Sequence, residues 1–285
     1  MGHVLIDIKK IDSTTFDCVL HYGLLAVNFQ NIYKKVQIKN GKIPEFGFSK
    51  TEIESVEDVK PYEFRAIDSL TNYLRISSFD ASLKQELNLF YQSIDSLVTI
   101  KPNLVIDLRN NGGGSEECYL DLMKYLYTKP FTVDLADVWV SPDNIKKYES
   151  DGHSKELIDR MKNAPPFTFI PQTLNPVTTW ETKGTVHPKK IAVLFNKKTA
   201  SSAEGMILYA MQSDKIITMG ENSGGFLGYG NVKYDEIPCG SYIIRSTTTK
   251  YFNKSKYEFV GISPQIKLND DQDWIKAAKI ELERN

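Results

Sequence analysis

The pattern of apolar and polar residues changes near residue 70. Before that point the chain reads as short strands and turns: VLIDI (4–8) alternates, LLAVNF (24–29) is apolar, and an Asn40-Gly41 pair is typical of a hairpin turn. We therefore predict a small β-rich part over residues 1–69.

Beyond it, strand-like and helix-like patterns alternate. Apolar residues between Leu83 and Val98 recur at helical spacing, and short apolar runs lie on both sides of that segment. Strand, helix and strand in this order imply a right-handed parallel crossover, and the order recurs further along the chain. We therefore predict an α/β core with parallel βαβ units over residues 70–285. The predicted elements are strands at 72–79, 103–108, 131–140, 190–195 and 215–220, and helices at 83–98, 116–127 and 202–213.

Residues 141–188 form a polar stretch rich in Pro, Asn and Lys, with one amphipathic segment at 154–162. A connection of this length inside a compact domain is usually a functional lid or an insertion. We therefore predict a lid or an insertion at 141–188.

Composition and charge exclude several classes of protein. The chain has 35 basic and 36 acidic residues, whereas a protein that binds nucleic acid through phosphate contacts has a basic excess. The longest stretch without charge, 163–180, contains four prolines and cannot form a membrane helix. Asp7 and Lys9 lie where an export signal would need an uninterrupted apolar stretch. Three widely spaced cysteines favour neither a disulfide framework nor a zinc site, and no cofactor is indicated.

A glycine-rich turn follows the predicted strand at 103–108, in NLVIDLRNNGGGS (103–115). The first N–H groups of a helix have no intrahelical partner, and glycines leave room for a ligand in front of them. The turn can thus hold a phosphate or an oxyanion, or it can be a purely structural connection. The absence of a following Lys-Ser/Thr argues against a P-loop. Asp107 and Arg109 are interpreted as a polar network that supports the turn.

A second strand, IAVLF (191–195), leads into a turn of small residues, TASSAE. A serine at such a strand-to-helix junction is exposed above the sheet, and the next N–H can donate to an oxyanion. Alternatively, Ser201 or Ser202 simply caps the helix, with Glu204 completing a capping box.

These blocks resemble those of the tail-specific, or C-terminal processing, serine peptidases and of their relatives, the tricorn core and the interphotoreceptor retinoid-binding protein repeats. The similar blocks follow the family's order. They are NYLRISSF (72–79), LVIDLRNNGGGS (104–115), IAVLFNKKTASSAEG (191–205), ITMGENSGG (217–225) and YEFVGISPQIKL (257–268).

The resemblance implies a crotonase-like α/β fold, hydrolysis of polypeptides and no metal or cofactor. It selects Ser201 as the nucleophile, because the family's serine lies three residues before the glutamate of S-x-x-E. It leaves the N–H of Ser202, together with that of Gly112 or Gly113, for an oxyanion hole.

The tail-specific branch has a lysine base after G-E-x-T-x-G, where this chain has Phe226, so a Ser–Lys dyad is not expected. The tricorn-like branch uses Ser, His and Glu. Glu258 precedes a G-[VI]-x-P motif as in that branch, and His3 stands before a strand as its histidine does. The base is therefore assigned to His3, with His153 or His187, or no histidine at all, as alternatives.

Two other functions remain open at this stage. One is a non-catalytic module that binds apolar ligands or peptides, and the other, weaker, is acyl-CoA chemistry on the same fold. The PDZ module frequent in the family is not expected, because residues 13–68 contain no GLGF-like loop. The resemblance also implies a periplasmic or cell-envelope location.

Overall fold

The chain divides into two compact units, Met1–Lys60 and Pro61–Asn285. The computed structural model describes residues 2–23, 32–39, 60–175, 177–236 and 243–284.

The N-terminal unit contains a three-stranded antiparallel sheet with β2 in the centre. Its strands are β1 (Gly2–Lys10), β2 (Thr15–Gly23) and β3 (Ile32–Lys39). One carboxylate oxygen of Asp12 accepts the N–H groups of Thr14 and Thr15, both at 2.8 Å, and so closes the turn between β1 and β2. The predicted segment 24–29 and the Asn40-Gly41 turn lie outside the described residues.

The larger unit is built on a six-stranded sheet in the order β15-β12-β11-β6-β5-β4. All neighbours pair in parallel except β4, which is antiparallel to β5. The inner strands are apolar runs because both of their faces are buried. The strands of this sheet are β4 (Tyr62–Ala66), β5 (Thr71–Ile76), β6 (Asn103–Asp107), β11 (Lys190–Phe195), β12 (Ile216–Gly220) and β15 (Ile266–Lys267).

Helices cover both faces of this sheet. On one face, α1 (Lys84–Thr99) and α5 (Ser202–Ala210) contribute to the main apolar core. On the other face, α6 (Trp274–Glu283) packs Trp274 and Ala278 into a second core. Alternate residues of β6 and β11 enter the two cores, as the period of two requires. The mixed α/β architecture with a parallel sheet, predicted from the sequence, is thus confirmed.

The sequence placed residues 61–69 in the N-terminal part, but β4 belongs to the larger unit. The Asp68 carboxylate accepts the N–H groups of Leu70 and Thr71, both at 2.8 Å, and so closes a tight turn between β4 and β5. The resulting hairpin adds β4 to the edge of the sheet, and the division of the chain falls before it.

The predicted helix at 116–127 is broken. It consists of two 3₁₀ turns, Glu116–Cys118 and Leu120–Leu122, followed by the short α2 (Met123–Leu126). Tyr119 interrupts the helix with a φ of −119°. The strand predicted at 131–140 is likewise two short strands in different sheets, β7 (Phe131–Thr132) and β8 (Asp137–Trp139).

The segment 141–188 has a small core of its own. Its elements are α3 (Pro142–Ser150), α4 (Lys155–Asn163), β9 (Phe169–Pro171) and β10 (Thr179–Trp180). Tyr148, Leu157 and Met161 are buried together with Val138 of β8. A four-stranded antiparallel sheet in the order β13-β14-β8-β9 ties the segment to the hairpin of β13 (Tyr229–Glu236) and β14 (Ile243–Lys250). None of the described helices is long and apolar enough to cross a membrane.

Candidate active site

The glycine turn and the serine turn lie side by side because β6 and β11 are parallel neighbours. Both strands end at the same edge of the sheet, and hydrogen bonds join the segments that follow. The N–H of Ala200 donates to the Asn111 carbonyl at 2.9 Å, and the Thr199 hydroxyl donates to the Leu108 carbonyl at 2.9 Å. The sheet register therefore brings the two predicted turns together.

Ser201 occupies the turn between β11 and α5, where it is the N-cap residue. Its backbone has φ 56° and ψ −124°, a conformation that residues with a side chain rarely adopt. The residue is exposed, although its neighbours along α5 are buried. A strained, exposed serine at a strand-to-helix turn is the arrangement of a nucleophile elbow.

Gly113 packs directly against Ser201. A Cβ atom on Gly113 would lie 2.8 Å from the Ser201 Cβ and 2.6 Å from the Ala200 carbonyl oxygen. The N–H of Gly113 donates to the Oδ1 atom of Asn111 at 2.9 Å. The sequence predicts that the N–H of Gly112 or that of Gly113 contributes to the oxyanion hole. The bond to Asn111 already occupies the N–H of Gly113. Within the described ranges, the N–H of Gly112 makes no hydrogen bond.

The N–H of Ser202, at the first position of α5, likewise has no partner among the described residues. At that position a backbone donor has no intrahelical acceptor and points out of the helix. It would lie 2.9 Å from a Cβ atom on Gly113. Two unpaired donors are therefore available: the Ser202 N–H, next to Ser201 in the chain, and the Gly112 N–H, next to the Gly113 that packs against Ser201.

Glu204 is fully buried and has a role beyond that of a helix cap. Its Oε2 atom accepts the N–H groups of Ser201 at 2.8 Å and Phe226 at 2.9 Å. Its Oε1 atom accepts the Ser223 hydroxyl at 2.5 Å and the Gly225 N–H at 2.8 Å. Four donors thus stabilise the buried carboxylate, which fixes the serine turn to the loop after β12.

That loop also holds Glu258. The N–H groups of Leu227 and Gly228 donate to its Oε2 atom at 3.1 and 2.6 Å. Four consecutive N–H groups, from 225 to 228, therefore bind two carboxylates, the first two Glu204 and the next two Glu258. The Oε1 atom of Glu258 makes no hydrogen bond within the described part of the chain.

Asp107 and Arg109 form a network at the end of β6. The guanidinium contacts both oxygens of the buried Asp107 carboxylate, at 2.5–3.0 Å, and the Tyr73 hydroxyl donates to it at 2.8 Å. Burial and the charge of Asp107 raise the pKa of Tyr73. Burial opposes the charge on Arg109, but the hydrogen bond and charge of Asp107 outweigh it and raise the pKa of Arg109. These contacts brace the strand end that leads into the glycine turn.

The histidines are distributed over both units. His3 lies in β1, opposite Tyr22, and its side chain lies outside what the structure describes. His153 stacks on the Tyr148 ring with centroids 4.2 Å apart, beyond the end of α3. His187 precedes Pro188 in a cis peptide bond. Among the described residues, no group of His, Cys, Asp or Glu could hold a metal ion.

Two residues of the site were not singled out from the sequence. Asn111 is buried and binds both the Gly113 N–H and the Ile76 carbonyl. Ser223 donates to Glu204 and accepts the N–H of Ile262 at 2.7 Å. Both stand inside the similar blocks, but their roles depend on contacts between segments far apart in sequence.

A strained serine at the start of a helix, beside unpaired N–H groups at the carboxyl edge of a parallel sheet, is an arrangement that hydrolases with a serine nucleophile use. The model of Peptidase family S41 matches residues 71–268, a range that contains Gly112, Ser201 and Glu258. The chain belongs to this family and is a serine-type peptidase. His3 precedes the matched range.

Two solved structures are similar to this chain, and the first of them supports the fold. Mature CPAF has a TM-score of 0.51 and 16% identity, and the match covers 96% of this chain and 66% of that one. The photosystem II D1 C-terminal processing protease has a TM-score of 0.48 and 14% identity over 98% of this chain and 67% of that one. The chain thus spans about two thirds of the length of these proteins. None of the curated proteins matches its sequence significantly.

Proposed function

We propose that this chain hydrolyses peptide bonds with Ser201 as the nucleophile and His3 and Glu258 as the other members of a triad. The observation that carries the proposal is the backbone of Ser201, which is held at positive φ against a glycine turn with an unpaired N–H at Gly112. Neither feature is needed for a helix cap. The strained turn exposes the serine hydroxyl for attack on a carbonyl group, and the unpaired N–H can stabilise the oxyanion that forms.

The chemistry has two halves. His3 takes the proton of the Ser201 hydroxyl while the oxygen bonds to the scissile carbonyl carbon, and the oxyanion accepts the N–H groups of Gly112 and Ser202. The C–N bond then breaks as His3 gives its proton to the leaving amine. Water, deprotonated by His3, attacks the resulting acyl ester, and Ser201 leaves with the proton returned by His3.

The third role, orientation of His3, falls to Glu258. Its Oε2 atom is committed to the N–H groups of Leu227 and Gly228, whereas Oε1 is left for an imidazole N–H. A carboxylate in this role fixes the tautomer of the histidine. The Ser-His-Glu type, the crotonase-like core, the cover formed by 141–188 and the cell-envelope location belong to this proposal as predictions.

Cleavage of peptides tests the proposal. The protein is incubated with a mixture of peptides of defined sequence in the presence of EDTA, and new termini are identified by mass spectrometry. We expect cleavage that is absent from a Ser201→Ala preparation made in parallel. Binding of peptides without any cleavage would instead support the non-catalytic alternative, which the loss of the family's lysine at Phe226 favours.

The base is identified by replacing each candidate histidine with alanine. His3→Ala is expected to slow hydrolysis roughly 10²- to 10⁴-fold, because a serine hydroxyl without a base is a poor nucleophile. The wild-type rate should fall as the pH drops below about 6.5, where an ordinary histidine becomes protonated, and His3→Ala should lose this dependence. The measurement is kcat/KM from pH 5 to 9. If His153→Ala or His187→Ala lost kcat/KM to a similar extent while His3→Ala stayed active, the replaced histidine would be the base instead of His3.

Gly113→Ala is expected to lower the rate of hydrolysis roughly 10- to 100-fold, because the new methyl group would displace Ala200 and Ser201. Gly152→Ala is the control for backbone strain, since Gly152 also has positive φ, 73° against 92°, but nothing lies within 4 Å of its Cβ position. Strain at positive φ should cost both variants about 1 kcal/mol of unfolding free energy, and Gly113→Ala should lose more because its methyl group also clashes with the backbone. Equal rates in the two variants would show that the contact with Ser201 is unimportant.

A further inference from the structure

Large apolar side chains are exposed next to the serine turn. Phe226, Phe259 and Val260 are 54%, 84% and 63% exposed, and the two rings meet edge to face with centroids 6.5 Å apart. We call these three residues the aromatic platform. Scattered exposed apolar residues are common, but a contiguous group of this kind typically marks a surface that binds something.

The platform is fixed to the nucleophile through hydrogen bonds. The Phe226 N–H and the Ser201 N–H donate to the same atom, Oε2 of Glu204, at 2.9 and 2.8 Å. The Phe259 N–H donates to the Gly225 carbonyl at 2.8 Å. Both aromatic residues are therefore held on segments whose position is set relative to the backbone of Ser201.

The support beneath the platform is close-packed. A Cβ atom on Gly261 would lie 2.1 Å from the Ser223 carbonyl oxygen, and one on Gly225 would lie 2.8 Å from the Val260 nitrogen. Both glycines have positive φ, 78° and 76°. The segments at 223–225 and 259–261 are therefore in direct backbone contact, and this close packing fixes the position of the two exposed rings.

Phe259 itself is in a costly conformation. Its φ is 60°, which a bulky residue rarely adopts, and its side chain gains little from packing because most of it faces solvent. Asparagine or glycine would adopt this φ with less backbone strain. Local strain of this kind is typical of residues that the function of a site requires.

We propose that the aromatic platform is a substrate subsite that binds an apolar side chain of the polypeptide next to the scissile bond. The proposal rests on the proposed function. An aliphatic or aromatic side chain fits because the platform offers two ring surfaces and the valine side chain. The neighbouring Glu258 carboxylate already has two N–H partners on Oε2, and the proposed triad uses its other oxygen, so it does not make this a site for a cation.

Two fluorophosphonate probes with the same reactive group test the subsite without a known substrate. One carries a long alkyl chain, and the other carries a polyethylene glycol chain of similar length. We expect the alkyl probe to label Ser201 faster, because part of its chain leaves water on the platform. A ratio of labelling rates of roughly 4 to 15 corresponds to the burial of one or two methylene groups.

Phe259→Asn separates binding from folding. Asparagine tolerates positive φ, so the variant should unfold at the same temperature as the wild type or higher, while the ratio of labelling rates falls towards 1. Phe226→Ser should lower the ratio in the same way. Leu89→Gln is the matched control: it removes a side chain that is 59% exposed on α1, outside the site, and should leave the ratio unchanged.

The outcomes distinguish the two proposals. If both probes label Ser201 at equal rates, or if Phe259→Asn keeps the wild-type ratio, the subsite is wrong and the serine mechanism stands. If neither probe labels Ser201 in the folded wild type, the proposed function is wrong and the subsite falls with it. A ratio lowered equally by Leu89→Gln would show a general surface effect and would also contradict the subsite.

Discussion

Replacing Ser201 by alanine is expected to abolish peptide hydrolysis and to leave the fold intact. Removal of a catalytic serine lowers kcat by roughly 10⁴- to 10⁶-fold in serine peptidases, because no other group can form the acyl ester. The fold should persist because the N–H of residue 201 still donates to Glu204. The measurements are the rate of peptide cleavage and the midpoint of thermal unfolding.

The same variant tests the simpler interpretation that Ser201 only caps α5. Asp273 caps α6 and accepts the Lys276 N–H at 3.0 Å, so Asp273→Ala shows what the loss of a cap alone does. It should cost about 1 kcal/mol of unfolding free energy and no activity. Ser201→Gly should be inactive but more stable by roughly 1 kcal/mol, because glycine relieves the strain at positive φ. A Ser201→Ala protein that behaves like Asp273→Ala would contradict a nucleophilic role.

Glu204→Gln is expected to have the largest effect on stability. The buried carboxylate accepts four hydrogen bonds, two on each oxygen, and an amide NH₂ in place of one oxygen would face two donors. Each buried donor without an acceptor costs about 1–3 kcal/mol, so we expect a loss of roughly 3–5 kcal/mol in unfolding free energy. Denaturant titration measures it. Hydrolysis should also fall in whatever fraction stays folded, because the serine turn is no longer fixed to the loop at 225–228.

Glu117→Gln is the matched control for this change. Glu117 is exposed and pairs with Lys84 at 2.9 Å on the surface, where such a pair contributes at most about 1 kcal/mol. The two variants remove the same charge from the chain. The difference between their unfolding free energies therefore measures the contribution of the buried contacts of Glu204. If Glu204→Gln unfolded at the same denaturant concentration as Glu117→Gln, the four contacts would not hold the site together.

The sequence predicted the sheet well because its strands are buried on both faces. The runs at 103–108 and 190–195 became β6 and β11 within a residue or two, and the helix predicted at 83–98 became α1. Adjacent parallel strands end at one edge of a sheet, so the two turns that carry the candidate chemistry had to meet there. Local pattern therefore predicts where the serine and glycine turns lie.

What failed depended on tertiary contacts. The helix predicted at 116–127 broke into 3₁₀ turns at Tyr119, although its apolar spacing is helical. The boundary near residue 69 was misplaced because β4 joins the sheet through its pairing with β5. The capping role that the sequence offers for Glu204 is confirmed by its bond to the Ser201 N–H, but nothing in S-x-x-E indicates that its carboxylate also binds the N–H groups of Gly225 and Phe226. Such bonds depend on the orientation of N–H groups about twenty residues away in sequence, and the pattern of apolar and polar residues carries no information about it.

The most direct test of the account is the identity of the residue that a fluorophosphonate modifies in the folded protein. The labelled chain is digested, and the modified peptide is sequenced by mass spectrometry. We predict a single adduct on Ser201, absent after prior denaturation and absent from Ser201→Ala. No adduct on the folded chain, or an adduct on Ser202 or elsewhere with Ser201 unmodified, would contradict the claim that Ser201 is the nucleophile.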